Sequence, residues 1–502
     1  MTDRTDPERT PVLVGVGQIN DRPADPADGL NPVELMAEAL RGADRDAGGG
    51  LLADCDSLSV VAQLAWPQLS PVHEKVARAL GIAPAHCEQT DKPNGDSPTR
   101  LLHEGANRIG RGEARICAIT GGEALRTAGQ LAAIKQTKGD PKHDALRDAS
   151  HRVHKGYAQS YGLVVPTDVY PLYENALRAS LGQTLAEGQA ESGILWAGMS
   201  EVAAKSEGAW LRDPVAAETV ITPSAKNRPI AFPYTKLQVA NASVNQGAGF
   251  ILASLAEARR RGIAEDQLVY IGHGAAASEN ENFLLRADYA GSASLRFVIE
   301  RTLTLNDLKP TDLAEVELYS CFPCVPKMAR RELDWPIDRP ITVHGGLTFG
   351  GGPIGNYMSH AVAAMAAKLR GTQDKGLLFA NGGYATHNHA IVLSGAPTGA
   401  EFPRQFDMQE EADRRRSAIP PLVRNYEGEG AIETYTVFYD DVGRPSGGVI
   451  VALTPEGSRT LARVPGTDTS LISWLTSGEV EPVGQTGLLK RDEAGMAMWS
   501  RT

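Results

Sequence analysis

The residues able to do covalent or acid–base chemistry fall in a few short stretches of this 502-residue chain. Cys321-Phe322-Pro323-Cys324 is the close cysteine pair, and a C-x-x-C where a strand meets a helix is an arrangement that lowers a thiol pKa. Tyr319 adds a phenol that can donate a hydrogen bond or move a proton. Downstream lie His344 before Gly345-Gly346, then His360, then the run Thr386-His387-Asn388-His389. A lone histidine is more often a buried hydrogen-bonding residue than a base, and the run lacks metal-finger spacing, so no metal site is expected. Upstream, NGDSPTRLLHEG (94–105) is a polar turn leading into a helix, where many enzymes mount a nucleophile. It offers Gly95, Asp96 and Ser97, and no cysteine. Ser97 before Pro98 reads as a helix N-cap followed by proline at the first helical position. That reading is preferred to a nucleophile because no adjacent base is evident.

The elements that must hold these residues alternate between strand and helix. PVLVGVGQ (11–18) and SLSVVAQLAW (57–66) read as strands, and NPVELMAEALRGADRDAG and VHEKVARALG as helices, the first with Pro32 in its opening turn. This alternation predicts α/β layers with a mostly parallel sheet. An internal echo sharpens it. Pro98 opens a helix followed by a glycine turn (Gly110, Gly112), the strand ICAIT and Gly121-Gly122; Pro353 precedes the helix YMSHAVAAMAAKLRG, a turn, LLFAN and Gly382-Gly383. The repeated order argues for a duplicated unit. From 125 to 230 a long polar excursion interrupts the pattern and reads as a lid or substrate loop. After Ala400 a charged, proline-punctuated stretch reads as a linker or connecting helix. Short β runs separated by DDVGRP and TPEGS then predict a barrel of about five strands.

Composition narrows the function classes. With 42% apolar and 22% charged residues the chain is an ordinary globular one, and a net charge of −11 argues against nucleic acid or an anionic membrane as partner. No apolar run approaches a membrane span, and the charged start MTDRTDPERT lacks the apolar core of a secretion signal, so a cytoplasmic location is expected. Five sparse cysteines do not form a disulfide framework.

In order along positions 11–398, PVLVGVGQ, IGRGEARICAITGGEA, SVNQGAGFILAS, VELYSCFP, VHGGLTFGGGPIG and LLFANGGYATHNHAIVLSG resemble the thiolase superfamily, in particular its sterol-carrier-type branch and the thiolase-like proteins near it. The resemblance implies an α/β fold with two βαβαβαββ halves in five αβαβα layers, a long loop domain and a small C-terminal OB-like β-barrel. The expected division is 1–265 with the loop domain at about 125–230, then 266–400, a linker at 401–430 and the barrel at 431–502. The last part resembles the extra β domain of actinobacterial type 1 thiolase-like proteins.

Residue by residue, the family's nucleophilic cysteine falls on Gly95. The His-Asp-Cys-Phe motif of the sterol-carrier branch reads Tyr319-Ser320-Cys321-Phe322, and Gly-His-Pro reads Gly351-Gly352-Pro353. Cys-x-Gly reads Ala380-Asn381-Gly382, and the Asn of Asn-Gly-Gly is His344. The resemblance therefore implies Tyr319, Cys321, His360 and His389 as catalytic candidates. Gly95, Ser97, His344, Gly352, Gly382 and Gly383 would form an oxyanion or substrate-binding surface. The implied activity is that of an acetyl-CoA acetyltransferase relative handling lipid- or steroid-derived acyl-CoA thioesters. Without an acyl-cysteine, that leaves retro-aldol or Claisen-type C–C chemistry. No permanently bound cofactor is expected, only a coenzyme A thioester as substrate or ligand; the assembly would be a monomer or homodimer. The basic stretch at 135–155 is placed either over the CoA phosphates or as a solvated loop. A catalytically silent acyl-CoA or lipid-binding protein is the alternative, and a dithiol redox protein using Cys321 and Cys324 ranks below both.

Overall fold

A computed structural model describes residues 6–137, 156–424 and 426–501. The first half runs β1 (Pro11–Asn20), α1 (Pro32–Asp46), β2 (Ser57–Val60), α2 (His73–Leu80), β3 (His86–Gln89), α3 (Ser97–Arg111) and β4 (Ile116–Ala124). The excursion follows, with α4 (Leu125–Thr137), α5 (Tyr157–Ser160), α6 (Pro166–Ser180), α7 (Leu185–Lys205), α8 (Ala217–Ile221), β5 (Pro229–Ala231) and β6 (Tyr234–Thr235). Then come β7 (Asn245–Ser254) and α9 (Leu255–Arg260). The second half has β8 (Val269–Ser278), α10 (Ala293–Leu305), β9 (Glu315–Leu318), α11 (Cys324–Glu332), α12 (Tyr357–Leu369), β10 (Lys375–Gly382) and β11 (His387–Ser394). Local chemistry explains the starts. At α1, Asn31 caps the helix, Glu34 closes a capping box and Pro32 occupies the first turn.

The strands lie in the order β3-β2-β4-β7-β1-β8-β11-β10-β9. β1 and β8 meet at two residue pairs, Val12 with Tyr270 and Leu13 with Val269, so two sheets join edge to edge with their strand orders mirrored. The expectation of a mostly parallel sheet needs correction. β2–β3, β2–β4 and β9–β10 are parallel, while the five other neighbouring pairs are antiparallel. The reason is connectivity: β10 and β11 are joined by a tight turn, which only antiparallel strands allow. α1 covers β1, β4 and β7 on one outer face, and α10 and α11 cover β8, β9 and β11 on the other. α3 and α12 pack between the sheets against strands of both halves. This is the five-layered duplicated arrangement.

The echo read in the sequence has a crossed contact at its centre. Asn94, before α3, packs its amide oxygen where a Cβ on Gly382 would sit, at 2.1 Å; Asn356, before α12, does the same to Gly121 at 2.3 Å. Each half places an asparagine against a glycine within a strand of the other half, Gly382 at the end of β10 and Gly121 inside β4. Neither glycine could carry a side chain without displacing that asparagine.

The excursion, expected as a lid or loop, is largely scaffold. α6 and α7 bury Tyr170, Tyr173, Leu195, Trp196 and Met199 in the main core, because both helices present large apolar side chains to the second half. The side chains of the basic stretch at 135–155 lie outside the described residues. The segment after β11 is docked rather than loose: Phe402 and Phe406 are buried, and Asn107 hydrogen-bonds both the carbonyl and the N–H of Arg404. After α13 (Gln409–Asp413) come β12 (Gly428–Tyr439), β13 (Pro445–Leu453), β14 (Arg459–Pro465), α14 (Thr469–Thr476), β15 (Thr486–Arg491) and β16 (Ala497–Arg501). They close into a five-stranded barrel in the order β13-β14-β16-β15-β12, with β12 pairing back to β13. Among the described residues no helix is long and apolar enough to cross a membrane.

Candidate active site

A cavity of about 490 Å³ opens between the two halves and α6. Its walls are mainly apolar, from Val165, Val239, Phe322, Leu347, Ile354 and Tyr384. Of the sequence-derived site residues, Gly95, Tyr319, Cys321, Gly352, Gly382 and Gly383 line it. A cavity of this size with a few polar groups among apolar walls suits a bulky organic ligand.

Gly95 lies one residue before the N-cap of α3. A Cβ built there would stand 2.4 Å from the Tyr319 hydroxyl and 2.1 Å from the Asn381 carbonyl oxygen. Tyr319, reaching in from the end of β9, thus puts its phenolic oxygen where a side chain on residue 95 would project. That oxygen sits at the start of a 15-residue helix, the positive end of its dipole. Burial nevertheless pushes the Tyr319 phenol well above its usual pKa, with the neighbouring acidic groups Cys321 and Asp96 adding to the effect, so it is a neutral donor at neutral pH. Its hydroxyl has no hydrogen-bond partner among the described residues. The ring is set by Tyr357, packed edge-on with centroids 5.9 Å apart. Tyr357 in turn donates to Glu317 at 2.8 Å, and Glu317 also accepts from Thr342 Oγ1 and the Val343 N–H.

Cys321 is under Tyr170. Burial pushes its thiol up to about 12, against the pull of the Tyr170 hydroxyl. Tyr170 stacks on Phe322 with centroids 4.3 Å apart, and its hydroxyl lies 3.2 Å from Asn381 Oδ1 and 3.1 Å from the Gly383 carbonyl while accepting from the Ala385 N–H. Cys324 is fully buried, its thiol directed at the Tyr170 carbonyl, and burial raises its pKa well above the usual value. Both cysteines are free thiols. The pair lacks the low-pKa thiol that a dithiol exchange centre needs.

Ser97 departs from the expected cap. Asp96 is the N-cap and Ser97 the first helical residue; its hydroxyl turns back to accept from the Asn94 N–H at 3.1 Å, outside the cavity wall. The histidines are also elsewhere. His344 and His360 stack on each other behind the glycine loop, with centroids 5.2 Å apart; Nδ1 of His344 faces Ser206 and that of His360 faces Gln18. His389 stacks on Phe406 and meets His103 at 3.4 Å, beneath the docked connector. Burial lowers all of these imidazoles, His344 to about 4 and His103 to about 3, so they are neutral packing residues rather than bases in the cavity. Among the described residues there is no cluster suited to a metal ion.

Three contributors were not singled out in the sequence. Asn94 Oδ1 accepts from the N–H groups of Gly95 and Gly383, fastening the two turns together. Asn381 supplies the carbonyl behind Gly95. Tyr170 comes from the excursion. The repeated Asn-before-helix signal could have pointed to the first, and Asn381 sits in the motif triplet Ala380-Asn381-Gly382 without its own role being marked; nothing local marks Tyr170. Ile354, in the wall, holds φ at 47°, an unfavourable backbone for a β-branched residue and a form of strain found at functional sites.

With this geometry in hand, the comparisons are specific. The model of the thiolase-like protein type 1 additional C-terminal domain matches residues 407–494. The crystal structure of a monomeric SCP2-thiolase-like protein type 1 from Mycobacterium smegmatis is 30% identical, with a TM-score of 0.83 over 99% of this chain and 100% of that one. The chain belongs to the SCP2-thiolase-like proteins of type 1. The Ltp2-ChsH2(DUF35) aldolase shares the fold at 19% identity and TM-score 0.58, over 78% of this chain and 99% of that one. Human mitochondrial 3-ketoacyl-CoA thiolase in complex with CoA does so at 13% and 0.56, again over 78% and 99%. No curated protein matches. Against the two distant structures, the uncovered fifth of this type 1 protein is comparable in size to its added C-terminal region.

Proposed function

We propose that this type 1 thiolase-like protein binds a coenzyme A thioester with a bulky apolar acyl group and acts on the C–C bond next to the thioester without an acyl-cysteine. The observation that carries the reading is the Tyr319 hydroxyl, unpartnered in an apolar cavity, in the place a side chain on Gly95 would take. A neutral phenol there donates a hydrogen bond to the thioester oxygen and stabilises the enolate that forms when the adjacent bond breaks. For a β-hydroxyacyl ester the balance is simple. The β-hydroxyl proton leaves as the Cα–Cβ bond breaks to give a carbonyl compound, and a proton is delivered to Cα of the shorter acyl-CoA. Tyr319, Cys321 and Tyr170 are the groups in reach to pass it. The thiolase and aldolase structures that share the fold, one holding CoA, support the ligand class. The monomeric relative favours a monomer over a homodimer.

A second reading, silent ligand binding, is favoured by one observation: Tyr319, Tyr170 and Cys321 are all held protonated near neutrality, so the resting cavity presents donors and no ready base. Calorimetric binding and turnover, measured separately with acetyl-CoA, acetoacetyl-CoA and a β-hydroxyacyl steroid-CoA ester, decide between them. Turnover of the β-hydroxy ester is expected. Tight binding without any turnover supports the silent reading, and failure to bind any ester removes both.

A further inference from the structure

Two sets of polar contacts run from the barrel to the cavity wall. The first passes through α6. Its Tyr170 covers Cys321 on the cavity side, while on the barrel side the Leu172 carbonyl accepts from Thr434 Oγ1 and Asn175 Nδ2 donates to the Tyr435 carbonyl at 2.9 Å. One turn later Arg178 pairs with Glu481. The second set starts at Arg459 of β14, which is fully buried, held by Glu433, and donates to the carbonyls of Leu284, Arg286 and Ala287. The segment it grips carries Phe283, packed on Tyr384 at 5.2 Å, and Arg286, whose guanidinium lies 4.5 Å over the Tyr173 ring. Tyr173 donates to the Tyr384 carbonyl at 2.7 Å. Both sets end on Tyr170 or Tyr384, which line the cavity.

We propose that the C-terminal barrel is a positioning element of the cavity, with Thr434 and Arg459 on the barrel and Asn175 on α6 as the positioning residues. A five-stranded barrel closed on itself needs only a tether to remain folded beside the core. This one is instead joined to the wall-bearing segments by buried, directional hydrogen bonds, from Thr434 and Arg459 to their carbonyls and from Asn175 to the Tyr435 carbonyl, bonds that fix register and orientation more than they add stability. Loosening them lets α6 drift, lifts Tyr170 from Cys321 and opens the wall. The inference concerns the cavity itself and stands whichever ligand fills it.

The test uses the full chain and follows alkylation of Cys321 by iodoacetamide, located by peptide mass, across a pH series. Loss of one buried hydrogen bond corresponds to roughly a fivefold change in an opening equilibrium. Thr434→Val, which keeps the side-chain shape, and Asn175→Ala should each raise the Cys321 rate about fivefold, by that estimate, with the pH dependence unchanged. Thr434→Ser, which keeps the donor, should restore the wild-type rate. Ile450→Val, buried inside the barrel with a side chain that takes part in neither set of polar contacts, costs comparable stability and should leave the rate alone. An unchanged rate in Thr434→Val and Asn175→Ala, or an equal rise in Ile450→Val, would overturn the assignment.

Discussion

Gly95 and Gly352 are the two turns onto which the thiolase resemblance carries a cysteine and a histidine, and the structure treats them differently. At Gly95 an added Cβ would meet the Asn381 carbonyl at 2.1 Å and the Tyr319 hydroxyl at 2.4 Å. At Gly352 the nearest atoms would be the carbonyls of Asn241 and Leu347, at 3.3 and 3.4 Å, and its backbone lies outside the left-handed region. At one glycine the space a side chain would take is filled from the other half of the fold; at the other it is open. A group lost by substitution alone leaves a gap. A group replaced by a neighbour's side chain leaves a rebuilt site, and that is the state we propose for the Gly95 turn, where the Tyr319 hydroxyl occupies the space.

The largest effect expected is on Tyr319→Phe, which keeps the ring and removes the donor. Turnover of the β-hydroxyacyl ester should fall about a hundredfold or more, with ester affinity and stability little changed, as steady-state kinetics and calorimetry would show. Next comes Gly95→Cys. Because the opposing atoms include a backbone carbonyl, it should destabilise by about 3 kcal/mol in denaturant melts and gain no thiolase turnover. Adding Tyr319→Ala should recover only part, since the carbonyl remains. An intermediate effect is on pH. His344, behind the Gly352 loop, is held neutral by burial with its pKa lowered to about 4 from 6.5, so its contribution is present above pH 6.5 and lost as the pH falls toward 4. Glu317, behind Tyr319, is raised by burial to about 7 from 4.5, so its contribution is full below 4.5 and lost as the pH rises through 7. Melts of His344→Gln and Glu317→Gln across that range should flatten opposite limbs of the stability profile. The smallest effect is on Gly352→Ala, expected to stay within about 1 kcal/mol of wild type; a loss as large as that of Gly95→Cys would erase the contrast.

Much of the architecture was legible because it is written in local signals. The helix starts at Pro32 and Pro98, the end of β10 at Gly382 and the turn-separated β runs after Gly428 each reflect short-range chemistry that tertiary packing did not override, whereas β4 runs past Gly121-Gly122 to Ala124. The antiparallel pairs were missed because strand direction depends on connections, not on residue patterns. At the site, Gly95, Tyr319 and Cys321 came from motif positions and the cavity gathers them. His360 and His389 have motif neighbours on the cavity wall, but their own side chains point into the layers behind it, and burial cannot be read from an isolated histidine. Tyr170 was hidden because it arrives from a segment read as a loop, and Asn381 because it acts through its backbone carbonyl.

Tyr319 is proposed to carry the chemistry of this cavity without a covalent intermediate on sulfur. Intact-mass measurement of the protein during incubation with acetoacetyl-CoA and with a β-hydroxyacyl-CoA ester tests it most directly. The expected result is turnover of the β-hydroxy ester with no acyl adduct at any time, and its loss in Tyr319→Phe. An acyl adduct mapping to Cys321, accompanied by turnover that survives Tyr319→Phe, would contradict it.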